Sequence, residues 1–155
     1  MSFFLFTIHY VFSYINAKTP CRNARCLFVT ILRTASANCF NGWLNHNEGS
    51  ATFNILMGGI YDINFNTNVT SETAGAVGLA LFADGVQLNG TEMDAVVTTA
   101  GDWNNVSFSK KLRVCTRGNV TLTVNSIPAI TYNGTTTTTQ IPTIKNANFS
   151  IERRP

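Results

Sequence analysis

Apolar and polar residues alternate along several short segments of the chain, and the pattern is clearest over residues 59–69. There, Tyr61, Ile63 and Phe65 are each followed by a polar residue. A period of two residues places the apolar side chains on one face of a β-strand and the polar ones on the other. Residues 120–124 and 147–151 have the same pattern. The sequence therefore predicts one-faced strands at these three places.

The segment 75–83 (GAVGLALFA) is apolar at both odd and even positions. Such a strand is expected to be covered on both faces, so we predict that it is a central strand. The pairs Asp84-Gly85 and Asn89-Gly90 follow it. Both pairs tolerate positive φ and predict tight turns.

Further strands are predicted at residues 37–44, 50–57, 91–99, 106–114 and 144–154. In the segment 106–114 the apolar alternation stops after Phe108 and resumes at Leu112, which predicts a β-bulge near Lys110 and Lys111. The threonine-rich segment 128–142 is predicted to be an exposed loop with a turn at Asn133-Gly134. About eight to ten short strands need two sheets to bury their apolar faces, so we predict an all-β, antiparallel two-sheet sandwich or jelly roll.

Composition agrees with one β-domain. The chain has 155 residues, of which 45% are hydrophobic and 12% charged, with many Asn, Thr, Ser and Gly. The net charge is +3, but Lys18, Arg22, Arg25 and Arg33 lie before residue 37, which leaves seven of the eleven basic residues to balance eight acidic ones. Because phosphate binding needs basic residues clustered on one folded face, we expect no nucleic-acid partner.

Residues 1–34 differ from the rest and are predicted to be a leader before a domain of residues 35–155. Residues 1–17 are apolar and uncharged. They are compatible with a signal peptide or anchor, with upstream non-native sequence, or with an ordered or interfacial helix. The run is shorter than the roughly 20 residues that span a bilayer, so no firm membrane contact is expected. Residues 26–32 fit a strand and a short buried helix equally well, and the domain is expected to fold without the leader.

The cysteines and histidines do not form a known metal or catalytic pattern. Cys21 and Cys26 have four residues between them, and the usual zinc spacing is two, so we predict no metal site. Cys39 and Cys115 are interpreted as small buried strand residues, and no disulfide is assigned. With two histidines in the chain, and no nucleophile, phosphate-loop or metalloprotease motif, we expect no enzyme activity and no cofactor.

Four carboxylates have the chemistry of calcium ligands or of a glycosidase pair. They are Asp84, Glu92, Asp94 and Asp102. All four are predicted in turns or at strand ends, where acidic residues commonly form turns or carry solvated charge. We interpret them in that way.

The order of segments over residues 36–155 resembles the jelly-roll head shared by tumour necrosis factor (TNF) and the globular domain of complement C1q. The resemblance rests on the Gly-x-Tyr strand at residues 59–61, the strand at 75–82, the Arg-Gly turn at 117–118 before residues 120–124, and Phe149-Ser150 in the last strand.

In its short motifs the chain resembles the bacterial and phage-encoded members of this family more closely. These members are the heads of collagen-like spore-surface proteins and phage fibre tips. The matching motifs are NHNEGS at residues 45–50 and NANFSIER at 146–153. The first 34 residues contain no Gly-X-Y repeat such as precedes the collagen-like heads.

The resemblance implies a homotrimer that packs aromatic and aliphatic residues along a threefold axis. The candidates for core or trimer contact are Tyr61, Phe65, Phe82, Trp103, Phe108 and Phe149. Core packing is favoured, since large apolar residues are mostly buried.

The expected function is that of a non-enzymatic, trimeric attachment or surface-display head of a bacterial surface or phage structural protein, located outside the cell, on a spore or on a virion. Its expected partners are itself and a surface glycan or receptor.

Amide and hydroxyl groups in loops 91–102 and 133–140 would pair with sugar hydroxyls, and Trp103 would stack on a sugar ring as the ligand-binding residue. Trp103 could instead pack under its own loop. The alternative functions are a monomeric carbohydrate-binding β-sandwich, which differs in oligomeric state, and a receptor-binding TNF-like ligand.

Overall fold

A computed structural model of the protein describes residues 26–28, 30–31, 34–35, 39–40, 42–47, 50–115, 119–127, 129–132, 135–138 and 140–154. For residues 26–40 and 129–138 the description covers the backbone. The predictions for residues 1–17 and for the turn at Asn133-Gly134 fall outside these ranges.

The described part of the chain contains fifteen strands and no helix. The strands are β1 (Cys26–Phe28), β2 (Thr30–Ile31), β3 (Thr34–Ala35), β4 (Cys39–Phe40), β5 (Leu44–His46), β6 (Phe53–Ile55), β7 (Gly59–Thr70), β8 (Gly75–Ala83), β9 (Val86–Gln87), β10 (Met93–Val97), β11 (Asn104–Val114), β12 (Val120–Ser126), β13 (Ala129–Tyr132), β14 (Thr135–Thr138) and β15 (Thr143–Arg153). Several are two-residue pieces, which raises the number above the eight to ten predicted.

These strands form two main antiparallel sheets. One has the order β1-β15-β7-β11, and the other has the order β10-β8-β12-β6-β5-β4 with β9 paired to β8. The pairs β2-β3 and β13-β14 form separate two-stranded sheets. The predicted all-β, antiparallel sandwich is confirmed.

The core lies between the two sheets and is rich in aromatic rings. Phe65 pairs in register with Phe108 on one side and with Phe149 on the other, at ring-centre distances of 5.8 and 5.9 Å. Phe53, from the second sheet, packs edge-on against Phe149. Of the six predicted core or trimer residues, Tyr61 and these three phenylalanines of the first sheet are buried, Phe82 is half-buried and Trp103 is exposed.

Strand β8 is central, as predicted. It lies between β10 and β12 and directs Val77, Leu79 and Leu81 into the main core. Ala76 and Ala80 on its other face pack with buried Ile127, whose backbone N–H donates to the Gly78 carbonyl at 3.0 Å. Phe82, which is half-buried, packs against the same small cluster.

The predicted bulge near Lys110 is wrong. Strand β11 pairs with β7 from Asn104 to Val114 without a change of register. Lys110 lies on the inward-facing side of β11, which is the edge strand of the first sheet, and its Nζ donates to the Asn89 carbonyl at 2.5 Å. A lysine can do this because its methylene stem covers apolar surface while its ammonium reaches the solvent. The irregularity is instead in β15, between Lys145 and Asn148, where Asn146 has a φ of 56°.

Two further predictions are corrected. Most of the segment expected to be an exposed loop at 128–142 forms the hairpin of β13 and β14, since β-branched threonines favour extended backbone. Cys115 is an exposed free thiol, because it lies just beyond the end of β11.

Strand β1 decides between the two structures considered for residues 26–32. Cys26–Phe28 pairs antiparallel with residues 149–151 of β15, so this part is a strand. The division of the chain at residue 35 stays a prediction.

Candidate functional site

Three connecting segments meet at one end of the sandwich. They are the β7–β8 turn (residues 71–74), the β10–β11 loop (98–103) and the segment before β15 (140–142). The Gly101 N–H donates to the Ser71 carbonyl at 3.0 Å, and the Thr73 hydroxyl donates to Gln140 Oε1 at 3.1 Å. These bonds give the end of the sandwich a defined polar surface.

Trp103 lies in this surface, immediately before β11, and is 43% exposed. Its ring therefore does not pack completely under its own loop. The ammonium of Lys145 lies 4.7 Å from the centre of the ring. This distance is within the range of a cation–π interaction, in which the electron-rich face of the indole attracts the positive charge.

Asn105 lies two residues after Trp103 and pairs with Asn68, which pairs with Lys145, so the amides of Asn68 and Asn105 belong to the same end of the first sheet. Asn105 Nδ2 donates to the Thr67 carbonyl at 3.2 Å and to Asn68 Oδ1 at 3.1 Å. Since both protons of Nδ2 are used, Asn105 retains its Oδ1 as an acceptor and Asn68 retains its Nδ2 as a donor. Both strand positions are fixed by pairing, so the two groups are presented with little conformational freedom.

The bulge in β15 controls where Lys145 lies. Lys145 pairs with Asn68, after which the register shifts. Thr67 is fully buried, and its hydroxyl donates to the Lys145 carbonyl at 3.2 Å. This bond holds the backbone of Lys145 at the edge of the bulge, and the side chain extends toward Trp103. We name Trp103, Lys145, Asn68 and Asn105 the Trp103 cluster.

The predicted binding loops are only partly at this end. Thr91 is buried, and its Oγ1 accepts from the Leu81 N–H at 3.1 Å and donates to the Leu88 carbonyl at 2.7 Å. It therefore belongs to the opposite end of β8, and residues 93–97 are strand. Gln140 does lie near the β7–β8 turn, as does Gly101. The role of Trp103 as a ligand-binding residue stays a prediction.

The carboxylates are dispersed. Asp84 has a φ of 50° in the β8–β9 turn and accepts from the Thr121 N–H at 2.8 Å, which confirms its interpretation as a turn residue. Glu92 accepts from Gln87 at 2.6 Å, and Asp94 and Asp102 are exposed. Among the described residues no three His, Cys, Asp or Glu side chains lie together as a metal site would need.

Tyr61 and Arg153 occupy the end of the sandwich opposite to Trp103. The Tyr61 hydroxyl donates to the Met57 carbonyl at 2.6 Å, and Arg153 donates to the Gly58 carbonyl at 3.1 Å. Burial raises the pKa of Tyr61, and the nearby positive charge of Arg153 offsets part of the increase. This pair stabilises the start of β7.

The outer face of the first sheet is polar and arranged in rows across the strands. One row contains Asn64, Ser109 and Ser150. The next contains Asp62, Lys111 and Glu152, and Asp62 also forms an ion pair with Arg154. At the end of the face Ile60, which is 43% exposed, lies opposite Arg113. We name this surface the charged face.

Comparisons identify the fold. No protein-family model matches the sequence, and no curated protein matches it. The crystal structure of murine APRIL at pH 5.0 is similar with a TM-score of 0.56 at 9% identity, over 84% of this chain and 99% of APRIL. The globular domain of zebrafish complement 1qA is similar with a TM-score of 0.50 at 14% identity, over 86% of this chain and 98% of that domain. The fold is a TNF- and C1q-like jelly roll.

At sequence identities of 9% and 14%, the similarity to these two structures shows only that the fold is shared. Within the jelly roll, the Trp103 cluster lies at one end of β7, β11 and β15. The charged face is the outer surface of the same three strands. In the part of the chain that the structure describes, no helix is long and apolar enough to cross a membrane.

Proposed function

We propose that the protein is a non-enzymatic recognition head that acts as a homotrimer and binds a surface glycan through the Trp103 cluster. The observation that carries the proposal is the half-exposed indole of Trp103, which lies two residues before Asn105, whose amide bonds to that of Asn68. Sugar rings present C–H groups that pack on an aromatic face and hydroxyls that pair with amides. An exposed aromatic with fixed polar neighbours is the usual composition of such a site.

The charged face supports the trimer. Copies related by a threefold axis meet through a heterologous contact, in which one part of a surface touches a different part of the next copy. The charged face carries acidic Asp62 and Glu152 together with basic Lys111 and Arg113, so it is complementary to itself in charge. Exposed Ile60 supplies apolar area at its end. The fold shared with the TNF and C1q heads is consistent with this assembly.

The parent particle that we propose is a bacterial surface structure or a phage, with the head exposed outside the cell, on a spore or on a virion. This part of the proposal is supported by the sequence motifs at residues 45–50 and 146–153. The two similar solved structures are animal proteins and bear on the fold.

Light scattering coupled to size exclusion, followed by a glycan-array screen, tests the proposal. We expect a trimer at micromolar concentration, glycan binding, and loss of that binding in Trp103→Ala. The matched control is Val86→Ala, an exposed hydrophobic residue in the β8–β9 hairpin at the other end of β8. A monomer would refute the trimeric head and favour a monomeric carbohydrate-binding module. If the protein is a trimer and Trp103→Ala still binds glycan, the proposed trimer stands and the proposed binding site is refuted.

A further inference from the structure

We infer that the Trp103 cluster selects saccharides that carry a carboxylate, with Lys145 as the counter-charge. The inference rests on the proposed glycan-binding function and specifies its ligand class. Its starting point is that the indole and the ammonium form one surface, with 4.7 Å between the ring centre and Nζ.

The charge of Lys145 is available to a ligand. Within the ranges that the structure describes, no carboxylate lies within salt-bridge distance of Lys145, whereas Arg154 is paired with Asp62. Glu72 and Asp102 are exposed in the loops at the same end and do not form an ion pair with it. The indole attracts the ammonium but does not neutralise it. An anionic group that approaches the ring therefore meets an uncompensated positive charge.

The backbone that carries this charge is ordered before a ligand binds. The Lys145 backbone is held by pairing with Asn68 and by the hydroxyl of buried Thr67. Lys145 is half-buried, so part of its stem is already ordered. Preorganisation of this kind reduces the entropy that binding must overcome. A lysine free to rotate in solvent would not discriminate between ligands in this way.

Only an acidic sugar uses both the indole ring of Trp103 and the ammonium of Lys145. The Lys145 ammonium lies over the indole ring, 4.7 Å from its centre, so a pyranose that packs on the part of the indole left exposed brings its carboxylate within reach of that charge. A neutral sugar uses the ring and the amides but not the charge, and a simple anion uses the charge but not the ring. Because charge-assisted hydrogen bonds are about twice as strong as neutral ones, we expect an affinity about tenfold higher for the acidic sugar than for its neutral counterpart.

Two-dimensional ¹H–¹⁵N spectra of the full chain test the inference through the indole N–H signals. The chain has two tryptophans, and Trp43 packs against Tyr61 at the other end of the sandwich, so its signal is an internal control. The probes are methyl β-D-glucuronide, methyl β-D-glucoside and sodium acetate. We expect the glucuronide to shift the Trp103 signal saturably at about tenfold lower concentration than the glucoside, and acetate to cause no saturable shift.

Lys145→Met, which removes the charge and keeps most of the stem, is expected to abolish the preference. The matched control is Lys110→Met, since Lys110 bonds to the Asn89 carbonyl away from the cluster. If Lys145→Met does not fold, the wild-type protein still tests the charge, because 0.5 M NaCl is expected to lower glucuronide affinity and leave glucoside affinity unchanged.

The outcomes separate the two proposals. Equal affinity for glucuronide and glucoside, or a preference that survives both Lys145→Met and salt, would overturn the inference and leave the glycan site standing. A saturable acetate shift as large as that of the glucuronide would reduce the cluster to a simple anion site and overturn the inference. No shift of Trp103 with any probe, together with a negative glycan array, would overturn the proposed function as well.

Discussion

Phe149 and Phe53 form an edge-to-face contact across the two sheets, with 4.7 Å between the ring centres and 71° between the ring planes. Phe149 is fully buried and also contacts Phe65 edge-on at 5.9 Å. It therefore joins the second sheet to the aromatic row of the first. Edge-to-face contacts of this kind add to the energy of burial.

Phe149→Ala is expected to lower the free energy of unfolding by about 3–5 kcal/mol, because it removes a large buried side chain and leaves a cavity. Urea unfolding followed by fluorescence measures the change. Val86→Ala, at a position that is 69% exposed, serves as the control and is expected to stay within about 0.5 kcal/mol of wild type. A loss below about 1 kcal/mol for Phe149→Ala would contradict the central position of this ring.

The sequence allowed most of the long strands to be predicted, because alternation survives wherever one face of a strand is buried. β7, β8 and β15 lie where the pattern placed them, and the β7–β8 and β8–β9 turns are present. β11 was also found, but Lys110 at an inward position broke the apolar pattern and suggested a bulge that is absent. The pattern registers only the polarity of Lys110, whereas a lysine in an edge strand covers apolar surface with its methylene stem and carries its ammonium out to the solvent.

The candidate site was predicted only through Trp103. Lys145 lies 42 residues further along the chain, and it reaches the indole because of pairing with Asn68 followed by the shift of register in β15. No local pattern encodes that shift, although the adjacent polar residues Lys145 and Asn146 interrupt the alternation of the strand. The bond between Thr67 and the Lys145 carbonyl is equally long-range. Such contacts depend on tertiary register, which periodicity does not determine.

Substitutions at Asn146 test the bulge. Its φ of 56° lies in the left-handed region, which asparagine tolerates, glycine adopts freely and β-branched residues strongly disfavour. We expect Asn146→Gly to stay within about 0.5 kcal/mol of wild type and Asn146→Val to lose about 1–2 kcal/mol. Thermal and urea unfolding of the two variants measure the difference. If valine is tolerated as well as glycine, the left-handed conformation is not required.

The stability of the domain at high pH depends on Tyr61. Burial raises the pKa of Tyr61 above the usual 10.0, although the Arg153 charge offsets part of the shift. The folded state then holds the phenol proton more tightly than the unfolded state does, so the stabilisation is complete below pH 10 and is lost as the pH rises through the folded pKa.

Tyr61→Phe is therefore expected to lose about 1 kcal/mol at pH 7, where the hydrogen bond to the Met57 carbonyl is missing. The variant is also expected to lose less stability than wild type as the pH increases above 10. Urea unfolding across this range compares the two proteins, and all other titrating groups cancel in the difference. Parallel curves would contradict the raised pKa of Tyr61.

Truncation tests the proposed boundary at residue 35. Apart from β1, the described strands of the two main sheets all lie at or after Cys39, so a form that begins at Ala35 is expected to fold. It lacks β1, whose pairing with β15 closes one edge of the first sheet. We expect its melting temperature to be lower than that of the full chain by less than about 10 °C, with an unchanged circular dichroism signature of β-structure. An unfolded product, or a larger decrease, would place residues 26–34 within the domain.

Substitution of Ile60 tests the trimer contact without disturbing the core. Ile60 is 43% exposed on the charged face, and its backbone carbonyl accepts from Arg154 while its side chain points outward beside Arg113. Ile60→Lys places an additional cation next to Arg113 in the proposed contact, where an unpaired buried charge is strongly unfavourable. We expect the variant to be monomeric at concentrations where wild type is a trimer, with a free energy of unfolding, measured at low protein concentration, within about 0.5 kcal/mol of wild type. Val86→Lys, exposed in the β8–β9 hairpin, is the matched control and is expected to remain trimeric. If Ile60→Lys stays trimeric, the contact is formed by another surface of the jelly roll; if Val86→Lys alone dissociates, that hairpin forms it.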